Sequence, residues 1–291
     1  MALVSGAAAT GLLTACGGEP PRQAARTATR ADGMPRAASS VVALKAQYAD
    51  HHHTHATATI VDSSRGWLVT SNHSVEGAKA LTLTLPDATQ VAARVLARAP
   101  CDDVALLGLV ARPPGLVALK PAASDHVKVG ERVMALGFPA DVTDARRAGS
   151  PKLALASGAV AMTAADVPLT PLLPALHGLL GHHAPVSPGL SGGPLLSSDG
   201  RMIGLTVTVG AHDGPAPAIN MSFATRGTRI AELLRQLTLT GDGSGGYSGW
   251  QDQHRCHDGM ATLAHAVSEP DHQHPGASAR RGMTGEEHHH D

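Results

Sequence analysis

The chain has 291 residues, enough for one large domain or two small ones, and its hydrophobic fraction of 43% is sufficient for a sizeable core. Phe, Tyr and Trp occur only twice each, so that core must be built from Ala, Val and Leu. A formal net charge of -1 gives no electrostatic basis for binding nucleic acid, and no apolar run reaches the roughly 18 residues of a membrane-spanning helix.

Residues 1–15 (MALVSGAAATGLLTA) are small and apolar and end in Leu13-Thr14-Ala15-Cys16. This resembles a bacterial lipobox, in which the cysteine is lipidated and becomes the mature N-terminus. The absence of Lys or Arg before the apolar run departs from a standard signal segment. On this reading residues 1–16 are a signal-like segment, and Cys16 carries a lipid anchor that places the protein on the outer face of a membrane in the cell envelope. Residues 17–39 are rich in Gly, Pro, Ala and Arg without apolar period, and read as a flexible linker.

From residue 40 to 240 short apolar runs alternate with turn signals, which indicates an all-β barrel or sandwich domain. Strands are expected over 56–62, 66–70, 80–85, 90–97, 104–110, 132–137, 153–163, 194–197 and 202–209. The apolar positions Ile230, Leu233, Leu234 and Leu237 predict one closing amphipathic helix over 226–239. His51 to His55 should be an exposed lead-in to the first barrel strand. Residues 241–291 are polar and His-rich without periodicity, and read as a disordered tail.

The three cysteines, Cys16, Cys101 and Cys256, are scattered and odd in number, which predicts neither a disulfide framework nor a zinc site. Cys101 reads as a small buried hydrophobe. Of the 18 histidines, 14 cluster at 51–55, at 182–183 and between 254 and 290. No spacing puts three or four of them on one rigid element, so only loose metal binding is expected, with no specific metal and no cofactor.

The strongest chemical signal is Ser187-Pro188-Gly189-Leu190-Ser191-Gly192-Gly193-Pro194 followed by a hairpin. Such a glycine-rich turn sets a serine hydroxyl at its tip and lets backbone N–H groups point into a site. The loop Gly189-Leu190-Ser191 thus supplies a nucleophile together with an oxyanion hole, the latter from the Gly189 and Ser191 amides. A serine alone is a poor nucleophile at neutral pH and needs a base and an orienting carboxylate. Thr70-Ser71-Asn72-His73 puts a histidine just after an apolar strand, and Asp102-Asp103-Val104-Ala105 puts a carboxylate at the start of another. The order His, Asp, Ser is that of the chymotrypsin type.

With these three motifs, Val129-Gly130-Glu131, Ala135-Leu136-Gly137-Phe138-Pro139, Ser157-Gly158-Ala159-Val160, Gly204-Leu205-Thr206 and Met221-Ser222-Phe223-Ala224 recur in family order. The sequence thereby resembles the HtrA/Deg family of trypsin-like serine proteases over about residues 55–235. The resemblance implies two six-stranded β-barrels with the triad in the cleft between them. It implies His73 as general base and acid, Asp103 as its orienting partner and Ser191 as nucleophile. It also implies protein or peptide substrates, no cofactor and a homotrimer as a candidate assembly.

Two departures from the family shape the expectations further. Leu190 stands where trypsin-like zymogens carry an aspartate, so maturation through a salt bridge to a new N-terminus is not expected. Pro185 and Val186, with Thr206, Val207 and Thr208 opposite, predict an apolar primary pocket and cleavage after small or medium aliphatic residues. The PDZ domain that follows the protease in many family members is not expected after residue 240. The competing reading is a protease-fold envelope lipoprotein that acts as a binding or chaperone module and holds metal through its His-rich segments.

Overall fold

A computed structural model of the chain describes residues 34–140, 151–168, 173, 175–207 and 221–240, with side chains to residue 236. The N-terminal segment to Cys16, the His-rich tail, Cys256 and Thr208 lie outside the described residues, and so does the side chain of Leu237.

Twelve strands form two closed six-stranded barrels. The first contains β1 (Val41–Gln47), β2 (His53–Asp62), β3 (Trp67–Thr70), β4 (Ala80–Thr84), β5 (Gln90–Ala99) and β6 (Val104–Leu109), in the order β1-β2-β3-β6-β5-β4. The second contains β7 (Arg132–Gly137), β8 (Ala154–Val167), β9 (Leu176–His182), β10 (Pro194–Ser197), β11 (Met202–Val207) and β12 (Ser222–Arg226), in the order β10-β11-β12-β9-β8-β7. Helix α1 (Gly227–Thr240) closes the described chain. The all-β double barrel expected from the sequence is what the chain forms.

Closure removes sheet edges but leaves a narrow interior, and the composition suits it. The first barrel is filled by Leu44, Ala56, Ala58, Ile60, Leu68, Leu83 and Leu107, with no aromatic ring among its fully buried residues. The second has a smaller core of the same kind around Val133, Val160, Leu180, Leu195 and Ala224. A third cluster lies where the barrels meet. It joins Val41, Val69 and Leu106 of the first barrel to Leu136, Leu196, Met202 and Leu205 of the second, and Ile230 and Leu233 of α1 seal it.

Three local expectations are corrected. The linker expected to run through residue 39 ends earlier, because residues 34–38 form a helical turn whose Ala37 is wholly buried in the interbarrel core. The histidine lead-in is partly strand: His53 and His55 lie in β2, paired with Gln47 and Lys45 of β1. Cys101 is not a buried free thiol; it is half-buried and disulfide-bonded. Scattered spacing carries no information about such a pairing, which depends only on where the fold brings the sulfurs.

Candidate active site

Strand register brings His73 and Asp103 together. β3 and β6 are antiparallel neighbours with Thr70 opposite Ala105, so the residues just beyond Thr70 face those just before Val104. The ladder continues one step past the strands, where the Asn72 N–H donates to the Asp103 carbonyl at 3.1 Å. The Asp103 carboxylate then takes two bonds from one residue. Its Oδ1 accepts the His73 backbone N–H at 2.9 Å, and its Oδ2 lies 2.7 Å from His73 Nδ1. An ionised carboxylate only accepts, so Nδ1 carries the proton and Nε2 is left as the basic nitrogen of the neutral ring. Asp103 is 1% exposed.

The charge balance at His73 has opposing parts. Burial disfavours the imidazolium, but the charge of Asp103, its hydrogen bond and the more distant charge of Glu76 outweigh that. The pKa of His73 therefore lies above the ordinary histidine value.

Ser191 is 4% exposed and sits on the turn before β10. The turn is closed by Leu190 N–H to Ser187 carbonyl at 3.1 Å and Gly193 N–H to Leu190 carbonyl at 3.0 Å. Two glycines are required there. At Gly189 (φ +97) a Cβ would stand 2.4 Å from both Ala140 N and the Phe138 carbonyl oxygen. At Gly192 (φ +83) it would stand 2.2 Å from the Thr57 carbonyl oxygen and 2.9 Å from Ser71 N. The second contact places the nucleophile loop against the strand end that carries His73. Because Pro188 O accepts the Ala140 N–H at 2.9 Å, the planar Pro188–Gly189 peptide directs the Gly189 N–H the opposite way.

Several bonds cross between the barrels at this point. Thr57 of β2 donates its N–H to the Ser191 carbonyl at 2.9 Å and its hydroxyl to the Gly189 carbonyl at 2.7 Å. Thr59 Oγ1 donates to the Gly192 carbonyl at 3.2 Å. Ser71 Oγ donates to the Thr206 carbonyl at 3.3 Å, and the same carbonyl accepts the Gly192 N–H at 2.9 Å. Thr57 and Thr59 were not singled out in the sequence, where they look like ordinary strand threonines.

The residues expected to line a primary pocket are distributed as follows. Thr206 is wholly buried beside the nucleophile loop, its N–H donating to the Gly193 carbonyl at 2.8 Å. Val186 packs against the core of the second barrel with Leu180 and Ala184. Val207 packs in a different cluster, with Val167, Leu176 and Phe223. Pro185 is exposed and belongs to neither cluster.

His182, at the end of β9, is fully buried and opposite Ser222 and Val160. The main chain of Phe223 and Ala184 runs beside the ring and favours its protonated form. Neither nitrogen reaches a hydrogen bond of proper geometry, however, and burial wins, holding the pKa down at about 4. Among the described residues no three His, Cys, Asp or Glu side chains are grouped so as to hold a metal ion.

Two closed six-stranded barrels with a His–Asp pair and a glycine-braced serine at their junction define the trypsin-like class of fold. The chain belongs to the trypsin-like peptidase domain family, whose model matches residues 56–205. It is similar to the periplasmic serine endoprotease DegP of Escherichia coli strain K12, with 28% identity over 182 residues, 62% of this chain and 35% of the relative. A probable DegP-like periplasmic serine endoprotease of Chlamydia pneumoniae is 29% identical over 187 residues, covering 64% and 35%. Among solved structures, an HtrA-type protease, AlgW with a tripeptide, has the same fold with a TM-score of 0.57 at 23% identity, over 72% of this chain and 64% of that one. The chain thus spans about a third of the length of these curated relatives.

Proposed function

We propose that the chain is a serine endopeptidase that hydrolyses peptide bonds in unfolded or exposed protein segments through His73, Asp103 and Ser191. The observation that carries this reading is the buried Asp103 holding His73 by both its main chain and its ring, at the strand end against which the Ser191 loop is packed. A carboxylate placed this way fixes the tautomer and stabilises the imidazolium.

In the proposed reaction Ser191 Oγ attacks the scissile carbonyl carbon while His73 Nε2 takes the hydroxyl proton. The carbonyl oxygen becomes an oxyanion, held by the N–H groups of Gly189 and Ser191. Collapse of the tetrahedral intermediate breaks the C–N bond, and His73 gives its proton to the leaving amine. Water then attacks the acyl ester with His73 again as base, releasing the new carboxylate and restoring Ser191. The pocket residues Pro185, Val186, Thr206, Val207 and Thr208 carry no charge, which supports a preference for small or medium aliphatic side chains before the cleaved bond.

Export to the cell envelope, with Cys16 as a lipid anchor, is part of the proposal. It is supported by the periplasmic designation of the relatives and by the disulfide at Cys101, a bond that persists in oxidising compartments. No helix among the described residues is long and apolar enough to cross a membrane. A homotrimer is the assembly proposed.

Hydrolysis of casein by the full chain, followed by gel electrophoresis, tests the activity. Fragmentation by the wild type and none by Ser191→Ala or His73→Ala is expected. Equal fragmentation by all three would remove the triad from the account, and intact casein throughout would favour a binding module.

A further inference from the structure

We infer that Arg229 is a positioning residue for the triad: by gripping Asp102 it fixes the left-handed turn from which Asp103 reaches His73. The inference rests on the triad reading above and extends it to a side chain on the C-terminal helix.

Asp103 ends the 3-10 turn Pro100–Asp102 with φ 51 and ψ 44, a left-handed conformation that is unfavourable for any residue with a Cβ. Within the turn the Asp103 N–H donates to the Pro100 carbonyl at 3.0 Å, and from the first barrel the Asn72 N–H donates to the Asp103 carbonyl at 3.1 Å. Cys101, inside the turn, is disulfide-bonded. Further constraints come from the second barrel and from α1. Thr225 of β12 donates its hydroxyl to the Asp102 carbonyl at 2.7 Å. That carbonyl belongs to the peptide that begins Asp103, so the bond sets the plane from which the aspartate departs. Arg229 then holds the Asp102 carboxylate with both prongs, Nε to Oδ1 at 2.8 Å and Nη2 to Oδ2 at 3.0 Å. Its third nitrogen, Nη1, donates to Glu232 Oε2 at 3.0 Å, which locks the guanidinium plane on the helix.

This pair is no ordinary surface bridge. Asp102 is 17% exposed and Arg229 32%, and a two-pronged contact defines direction as well as distance. Its effect on catalysis follows from geometry. His73 depends on Asp103 for its tautomer, Asp103 depends on the turn, and the turn is held from the opposite barrel through Asp102. The clamp therefore couples the α1 helix to the His–Asp half of the triad, with Asp102 as the link and no contact between Arg229 and substrate.

The test uses the full chain with a charge-neutral replacement, Asp102→Asn with Arg229→Met, which removes both charges from the neighbourhood of His73 at once. Two quantities are read: the rate of labelling by a fluorophosphonate probe, and the titration midpoint of His73 followed by NMR in a Ser191→Ala background. The double variant is expected to be labelled roughly 10- to 100-fold more slowly, with its His73 midpoint lowered towards the ordinary histidine value as Asp103 loosens. Arg229→Met alone should be slowed about as much, because either change breaks the same contact. Arg229→Lys, which keeps the charge but loses the fork, should recover only part of the rate. A double variant with an unchanged labelling rate and an unchanged His73 midpoint, whatever its thermal stability, would overturn the inference. Absence of labelling in the wild type would instead count against the peptidase reading, while the two His73 titrations would still decide whether the clamp holds Asp103.

Discussion

The hydroxyl of Thr57, on a strand of the first barrel, donates to the carbonyl of Gly189 in the nucleophile loop of the second at 2.7 Å. The same oxygen accepts the Phe138 N–H at 2.9 Å, and the Thr57 N–H donates to the Ser191 carbonyl. One threonine thus ties the Phe138 segment to the nucleophile loop and fixes both to the barrel that carries His73.

Thr57→Val keeps the shape and removes these hydroxyl bonds, leaving the Phe138 N–H and the Gly189 carbonyl buried without a partner. A stability loss of about 1–3 kcal/mol is expected in denaturant titration. Casein turnover should fall more than casein binding. Thr57→Ser, which retains the oxygen, should stay close to wild type on both measures.

Gly192→Ala meets backbone rather than a movable side chain, with its new methyl 2.2 Å from the Thr57 carbonyl oxygen at a φ that disfavours L side chains. It should abolish casein cleavage and lower the melting temperature. Gly77→Ala is the control: that glycine also has positive φ, but nothing stands within 4 Å of its added Cβ. Equal behaviour of the two variants in a thermal melt and a casein assay would contradict the packing argument.

The site was more legible in the sequence than the sheets that carry it. His73, Asp103 and Ser191 each lie in a short local pattern: just past a strand end, just before an apolar run, and inside a glycine turn. Strand β9 was missed because Gly178 and Gly181 interrupt it and read as loop, whereas a methyl on Gly181 would stand 2.8 Å from Met221 Sδ. Strand β1 was missed because Val41 to Leu44 are buried on both faces and show no alternation. Thr57 and Arg229 act on partners more than 100 positions away, and no local pattern marks them.

Asp103→Asn should lower kcat by about 10⁴-fold by analogy with other serine peptidases, since the carboxamide supports the wrong imidazole tautomer. In the wild type the acid limb of the kcat/KM profile should fall above the ordinary histidine value, because Asp103 raises the His73 pKa despite burial. A wild-type limb at or below about 6.5 would contradict the electrostatic description of His73.

His182 makes a separate prediction about stability. Its folded pKa of about 4 lies below the model-peptide value of 6.5, so the unfolded chain binds the extra proton first as pH falls. The histidine's contribution is complete above about pH 6.5 and is lost progressively down to about pH 4, by about 3 kcal/mol in total. His182→Leu should remove that part of the pH dependence. Urea unfolding of Ser191→Ala, with and without His182→Leu, at pH 7 and pH 4.5 measures it. Parallel pH dependence in the two proteins would contradict the assignment.

The most direct test of the central claim is covalent labelling of the full chain by a fluorophosphonate probe, with Ser191→Ala as the comparison and with casein present or absent. The account predicts labelling of the wild type alone, on Ser191, and an increase on adding casein would mean that substrate completes the oxyanion loop. A folded wild-type protein that is not labelled under either condition, or a Ser191→Ala variant labelled as strongly as wild type, would contradict it.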